Sequence, residues 1–369
     1  MRNSFIDTQI LSENILPSEW RTDPSVQLTL FNPTLTSLPK GGFALAYRAV
    51  GSDGLRRIGV CRLNEQLSLI AHTIVPFSDR VRPEDGRNLP LQAARWFADP
   101  RLVWWQEHLY IYWNSGINHQ ANYQFLQRVN VDSLEPEGPC FALEYPDGRH
   151  TIEKNWSLFE YQGELFAFYT LSPAVVLQAT EITSSKIIFS KVDSIPWHSG
   201  PYTSHFGELR GGASPLRIGQ NLYVLFHSAW RPMVRYRYAA GLLVMASKPP
   251  FQPLSWIPMP ISLPNPFGRI PHPNPFIERQ RLNGTVAEVI YPAGTSLKNG
   301  KLLVSYGIND EYAVITKLDI SDLEQRLVPV RLGIERRSNR EYFRLLHERV
   351  ASRMINVATA MLKGRKQSH

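Results

Sequence analysis

Cysteine is nearly absent: the chain has 2, Cys61 and Cys140, in 369 residues. They stand far apart and outside any metal-spaced cluster, which argues against a disulfide framework and reads both as small buried apolar side chains. No glycine-rich phosphate loop, zinc-ligand spacing or nucleophile elbow occurs, so metal or covalent serine chemistry has no support. His119, His205 and His272 are isolated. No apolar run approaches a spanning helix, and no integral membrane segment is expected. The opening residues Met1 to Asp7 meet an acid at once without an apolar h-region, so a cytoplasmic location is the expectation.

What the chain has in quantity is apolar and aromatic surface and turn formers. Apolar residues make up 43% and aromatic residues 11%, with Pro 28 and Gly 23, which suits an all-β body with many turns. One phrase recurs five times: a polar or proline-containing head, about ten residues of spacer, then an alternating strand ending near an aromatic residue. The heads are Asn32-Pro33, Asp99-Pro100, Glu153-Lys154-Asn155, Arg210 to Pro215, and Tyr291-Pro292. The strands begin at Phe43, Leu109, Leu165, Leu222 and Leu302, that is 66, 56, 57 and 80 residues apart. Each interval holds one four-stranded sheet with its loops, so the period predicts a five-bladed β-propeller. In such a ring the five heads converge on a central funnel.

The predicted organisation is an irregular lead-in over 1–30, the propeller over 31–330, and a basic helix and tail over 335–369. The net charge of +8 is concentrated on that tail, where Arg336, Arg337, Arg340, Arg344, Arg349, Arg353 and Lys363 sit together. The rest is near balance, which argues against a nucleic-acid partner. Tyr342, Leu345, Leu346, Val350, Met354, Val357 and Met361 recur at three- and four-residue steps, an amphipathic helix with Ser338 as N-cap and Glu341 three residues on. It packs on the propeller or against a second copy of the chain, giving a homo-oligomer; a basic face meeting anionic membrane or nucleic acid is the alternative. Ten prolines between Pro249 and Pro275 predict a long connection, either a lid over the funnel or a passive loop.

Chemistry concentrates at the heads. In Ala98-Asp99-Pro100-Arg101 the proline fixes the backbone beside an acid, and the arginine can hold that carboxylate or bind an anion; a turn with a surface ion pair is the plainer alternative. Arg48, Arg101, Lys154, Arg210 and His227 all fall at heads or strand ends facing the predicted funnel. A ring of cations there is costly without an anion, although each taken alone also reads as a structural ion pair. Asp310, at the end of the fifth strand, is the best second carboxylate. Trp96, Trp104, Trp105, Trp113, Trp156 and Tyr291 lie in or beside the phrases and could offer ring faces to a ligand, yet most must be core; Trp156 is the one expected in the site.

Taken in order, Tyr47-Arg48, Ala98-Asp99-Pro100-Arg101, Glu153-Lys154-Asn155-Trp156, Arg210-Gly211-Gly212 with Ser214-Pro215 and His227, and Tyr306-Gly307 with Asp310 resemble the motif set of glycoside hydrolase family 130. That family comprises five-bladed β-mannoside phosphorylases and mannosidases, with related propeller glycosyltransferases. The resemblance covers roughly residues 30–320 and implies inverting glycosyl, mainly β-mannosyl, transfer to or from phosphate or a phosphorylated donor. It implies Asp99 as proton donor. It implies sugar contacts from Tyr47, Arg48, Asn155, Trp156, Ser214, Tyr291 and Asp310, and phosphate contacts from Arg101, Lys154, Arg210 and His227. Oligosaccharide or sugar phosphate is then the substrate, with no cofactor.

This chain also departs from that set. The phosphorylases usually carry Lys-Asp and then His-Arg in the third blade, where this chain has Lys154-Asn155 and then Tyr169-Thr170. Arg235 and Arg237 can compensate, or the donor is a sugar phosphate or nucleotide sugar. Plain hydrolysis wants a carboxylate opposite the acid, for which Glu153, Glu208 and Glu288 are the options. A catalytically silent propeller that binds carbohydrate or protein is the reading from a different class.

Overall fold

The five alternating strands of the repeated phrase form where the sequence places them, and each has apolar residues on both faces. They run Phe43–Gly51, His108–Asn114, Glu164–Leu171, Asn221–Trp230 and Lys301–Ile308. The computed structural model describes residues 8–81, 96–116, 122–147, 154–232, 235–269 and 286–332. Over these the protein is all-β, with three short α-helices, Phe77–Arg80, Gly200–Phe206 and Ile320–Glu324. No helix among the described residues is long and apolar enough to cross a membrane.

Each alternating strand is the second of an antiparallel set, and the polar head of its phrase precedes it on or beside the first strand. Leu28–Ser37 pairs with Phe43–Gly51, Ala98–Trp105 with His108–Asn114, Ser157–Tyr161 with Glu164–Leu171, Leu209–Gly211 with Asn221–Trp230, and Ile290–Lys298 with Lys301–Ile308. The five sets lie in four hydrogen-bonded sheets, because the second and third are joined where Lys186–Ile188 runs parallel to Ala142–Glu144.

Side-chain alternation explains how the sets hold together, since successive residues of a strand face opposite sides. In the first set Leu45 and Tyr47 enter one core and Ala44 and Ala46 another. In the second, Ile111 and Trp113 share that latter core, while Tyr110 and Tyr112 enter a third. Leu165 and Ala167 of the third set join Tyr112 there, and Phe166 and Phe168 pack with Val224 and Phe226 of the fourth. Tyr223 and Leu225 then meet Val304 and Tyr306 of the fifth, whose Leu303 returns to the core of Leu45 and Tyr47. Five cores thus link five strand sets in a closed cycle.

The lead-in is not irregular throughout. Thr8–Ile10 pairs antiparallel with Val314–Thr316 and adds the outermost strand to the fifth set. Three residues without a strong alternating pattern carry no strand signal of their own; the exposed edge of Tyr312–Asp319 supplies it. The proline-rich stretch likewise contains a strand, Pro253–Trp256, paired with Leu243–Met245. Cys61 and Cys140 are buried in different cores, and neither forms a disulfide among the described residues. By contacts the chain divides after Arg331; the amphipathic helix expected over 335–369 lies outside the described residues.

Candidate active site

The first strands of the first two sets are bulged at their polar heads. Pairing with the second strand slips between Phe31 and Thr34 and again between Ala98 and Arg101, so Asn32-Pro33 and Asp99-Pro100 bulge outward. Asn32 and Asp99 take φ of 48° and 53°, a left-handed conformation that Asn and Asp tolerate better than other non-glycine residues. The proline removes the amide a regular ladder would need, which favours the bulge. Asp99 Oδ1 accepts hydrogen bonds from Asn32 Nδ2 at 2.9 Å and Arg48 Nη1 at 3.0 Å. Burial pushes Asp99 upward, but Arg48, Lys154, the Asn32 hydrogen bond and Arg101 together bring it from 3.8 to about 2. The carboxylate is therefore ionised in the free site.

Arg101, two residues on, is 1% exposed. Its Nη2 donates to the Tyr291 hydroxyl at 2.7 Å and to the Gly211 carbonyl at 3.3 Å, while Nε and Nη1 are buried and have no partner among the described residues. Tyr291 donates to Asn155 Oδ1 at 3.3 Å, and burial holds its hydroxyl above the ordinary 10, so it stays a neutral donor. The His227 ring lies 4.7 Å from the Tyr291 ring and sits opposite Arg210 in the ladder. Burial, then Arg101, Arg210 and Lys154, hold this imidazole well below its ordinary 6.5 against the pull of Asp99. His227, expected among the cations, is thus neutral, and its buried Nδ1 has no partner among the described residues. The heads of all five strand sets, with Arg48 from the second strand of the first, meet around one carboxylate, with cations in excess.

Close backbone approach makes this convergence possible. A Cβ on Gly211 would lie 2.1 Å from the Asn155 carbonyl oxygen, so the fourth head reaches the third only because residue 211 has no side chain.

Two expected sugar contacts belong elsewhere. Tyr47 is fully buried in the core with Ile15, Trp20 and Leu45, and its hydroxyl donates to the Ile15 carbonyl. Strand alternation sends Tyr47 into that core and leaves its neighbour Arg48 for Asp99. Trp156 is 1% exposed, with ring edges against Tyr169 and Phe189 at 5.7 and 5.3 Å; it fills the core between the second and third sets. Ser214 keeps a buried Oγ without a partner, and its carbonyl accepts from Thr295 at 3.3 Å. Asp310 follows the fifth set's second strand with φ of 57° and acts electrostatically on Arg56 and Tyr238.

Three participants carried no assignment from sequence. Asn32 touches Asp99, and the shared Asx-Pro dipeptide was its available signal. Tyr238 stacks at 6.1 Å on His227. Arg56, on the third strand of the first set, lies 4.0 Å over the Trp96 ring and is lowered from 12.5 to about 10 by burial and Arg48, against Asp99 and Asp310. Nothing in its local sequence, Leu55-Arg56-Arg57, separates it from Arg57, which pairs with Asp53 at 2.6 Å. Of the bases that hydrolysis would need, Glu288 is engaged by Asn265 at 3.2 Å and Arg269 at 3.4 Å, Glu208 is exposed, and Glu153 lies outside the described residues.

No family model matches the chain, and no curated protein matches it. Solved structures do share its fold. The β-1,2-mannobiose phosphorylase from Listeria innocua aligns at TM-score 0.57 with 13% identity, over 86% of this chain and 98% of that one. A glycosyl hydrolase from Bacteroides ovatus aligns at TM-score 0.50 with 15% identity, over 82% and 87%. A structure from the GH130 family of mannoside phosphorylases, a family containing glycoside hydrolases that target β-1,2 mannosidic linkages in Candida mannan, aligns at 0.50 with 15% identity, over 79% and 85%. At these identities the likeness is one of fold.

Proposed function

We propose that the protein is a five-bladed β-propeller enzyme that transfers a hexosyl group, mannosyl by its resemblance, with inversion to or from phosphate or a phosphorylated donor. The observation that carries this reading is the unbalanced charge around Asp99: Arg48, Lys154 and Arg101 act on one carboxylate, and Arg101 keeps two buried nitrogens without acceptors among the described residues. Buried charge without compensation is unfavourable, and a phosphate dianion between Arg101, Lys154 and Arg210 would supply the compensation. The closed cycle of five cores supports the propeller, and the mannoside phosphorylases among its fold relatives support the substrate class.

In phosphorolysis a phosphate oxygen attacks the anomeric carbon, the bond from that carbon to the departing sugar oxygen breaks, and Asp99 gives its proton to that oxygen. In synthesis the same steps reverse: the acceptor hydroxyl passes its proton to ionised Asp99 and attacks the sugar phosphate, releasing inorganic phosphate. The free site holds Asp99 in the form that synthesis requires. Binding of the anion offsets the cations and raises the proton affinity of Asp99, so phosphate prepares the acid for the opposite direction. Neutral His227 and the Tyr291 hydroxyl serve as uncharged partners beside the anion.

The test is incubation of purified protein with mannose 1-phosphate or a nucleotide-activated mannose and a panel of sugar acceptors, read by product mass and released phosphate. Manno-oligosaccharides with phosphate test the reverse direction. The expected product is a β-mannoside from one direction and mannose 1-phosphate from the other. Free mannose formed equally with and without phosphate would overturn the reading in favour of hydrolysis, and no turnover on any donor in favour of a binding protein.

A further inference from the structure

Asn32 and Asp99 are one backbone device built twice. Each precedes proline, each sits in a bulge at the head of an inner strand, and each has left-handed φ. Their side chains meet, Asn32 Nδ2 donating to Asp99 Oδ1 at 2.9 Å. Asn32 is 3% exposed, and its own Oδ1 is buried and has no partner among the described residues. That oxygen occupies the place where a side chain on Gly307 would begin, 1.9 Å from the ideal Cβ position. Residue 307 must therefore lack a side chain for the Asn32 amide to lie as it does. The amide has one workable orientation, because turning it over would set its carbonyl oxygen against the carboxylate.

Asp99 Oδ1 accepts from both Asn32 and Arg48, so a proton on that oxygen would displace an N–H donor. Oδ2 has no hydrogen-bond partner among the described residues. We propose that Asn32 is a positioning residue that confines the exchangeable proton of Asp99 to Oδ2. The inference rests on the reading of Asp99 as the group that exchanges a proton with substrate, and its test does not need that substrate.

The experiment follows the side-chain carboxyl of Asp99 by NMR in protein labelled with carboxyl-13C aspartate, using Asp99→Asn to assign the resonance. The variants are Asn32→Gly, which suits the left-handed backbone while removing the amide, and Asn32→Asp, which keeps the shape and replaces the donor by a carboxylate. In wild type burial raises the carboxyl, but Arg48, Lys154, Asn32 and Arg101 outweigh it and hold the group at about 2. In Asn32→Gly the proton affinity of Asp99 is expected to rise about tenfold or more, the scale of a hydrogen bond to a charged group. In Asn32→Asp it rises further, because two carboxylates in contact cannot both ionise readily. A midpoint unmoved in both variants overturns the positioning role. If Asn32→Gly does not fold, Asn32→Asp alone decides: no upward shift overturns it. A moved midpoint with no glycosyl transfer on any donor leaves the positioning role standing and removes only the transfer reading.

Discussion

Arg101 of the second strand set and Tyr291 of the fifth meet, Nη2 donating to the hydroxyl at 2.7 Å, while Nε and Nη1 are buried and have no partner among the described residues. One strand head thereby fixes the fork of an arginine that another has brought inward. A fixed, half-satisfied guanidinium is prepared for an anion, because little side-chain freedom remains to be lost on binding.

Phosphate or sulfate should accordingly raise the melting temperature by selective binding to the native state. The stabilisation follows ligand concentration over affinity and reaches about 2.7 kcal/mol at a hundred times Kd. Differential scanning fluorimetry checks it: the shift should appear in wild type and largely vanish in a Lys154→Ala, Arg210→Ala double variant. An equal shift in both proteins removes the anion site.

Asp99→Asn should fold, retain anion binding and lose turnover by about 10²-fold or more, the scale of general acid–base catalysis. Asparagine keeps size and part of the hydrogen bonding but cannot exchange the proton. A donor with a good leaving group needs less protonation and should recover part of the loss. Turnover equal to wild type on every donor would exclude Asp99 from the proton transfer.

Acid sensitivity follows from the same carboxylate. Its folded value of about 2 lies below its ordinary 3.8, so the stability it contributes is present above about pH 4 and lost as pH falls toward 2. The contribution is about 2 kcal/mol. His227 adds to the slope at higher pH: held below 6.5 when folded, it contributes stability present above about pH 6.5 and lost as pH falls toward its folded value. Urea unfolding of wild type and Asp99→Asn across pH 3 to 7 checks the first effect, with the variant expected to show the shallower loss below pH 4.

Substitutions at Tyr47 and Trp156 should behave as core changes. Tyr47→Phe leaves the Ile15 carbonyl without its donor and should cost about 1 kcal/mol. Trp156→Ala should cost about 3–5 kcal/mol. If both are core, the phosphate-induced melting shift in each folded variant stays near the wild-type size. A normal melting temperature for Trp156→Ala with weakened sugar binding would instead return that residue to the site.

The repeated phrase determined a great deal alone: the all-β class, the five strands, and the identity of Asp99, Arg101, Lys154, Arg210 and His227 as residues that belong together. Strand alternation and the rarity of unpaired charges on inner strands are local properties, readable from composition and spacing. Other features were decided by packing. Tyr47 and Arg48 are neighbours in sequence, and only the core around Ile15 and Trp20 shows which of them is inward. Trp156 follows Lys154-Asn155 directly, yet the second and third strand sets leave a tryptophan-sized gap between them and claim it. Thr8–Ile10 is a strand only because the fifth set presents a free edge. Charge state was likewise tertiary: burial and three cations hold His227 neutral, while Asp99 is ionised because its burial is outweighed by three cations and Asn32, from other segments of the chain or the same strand. A sequence specifies which groups can titrate; the distances that set their protonation arise only when the strand heads are brought together.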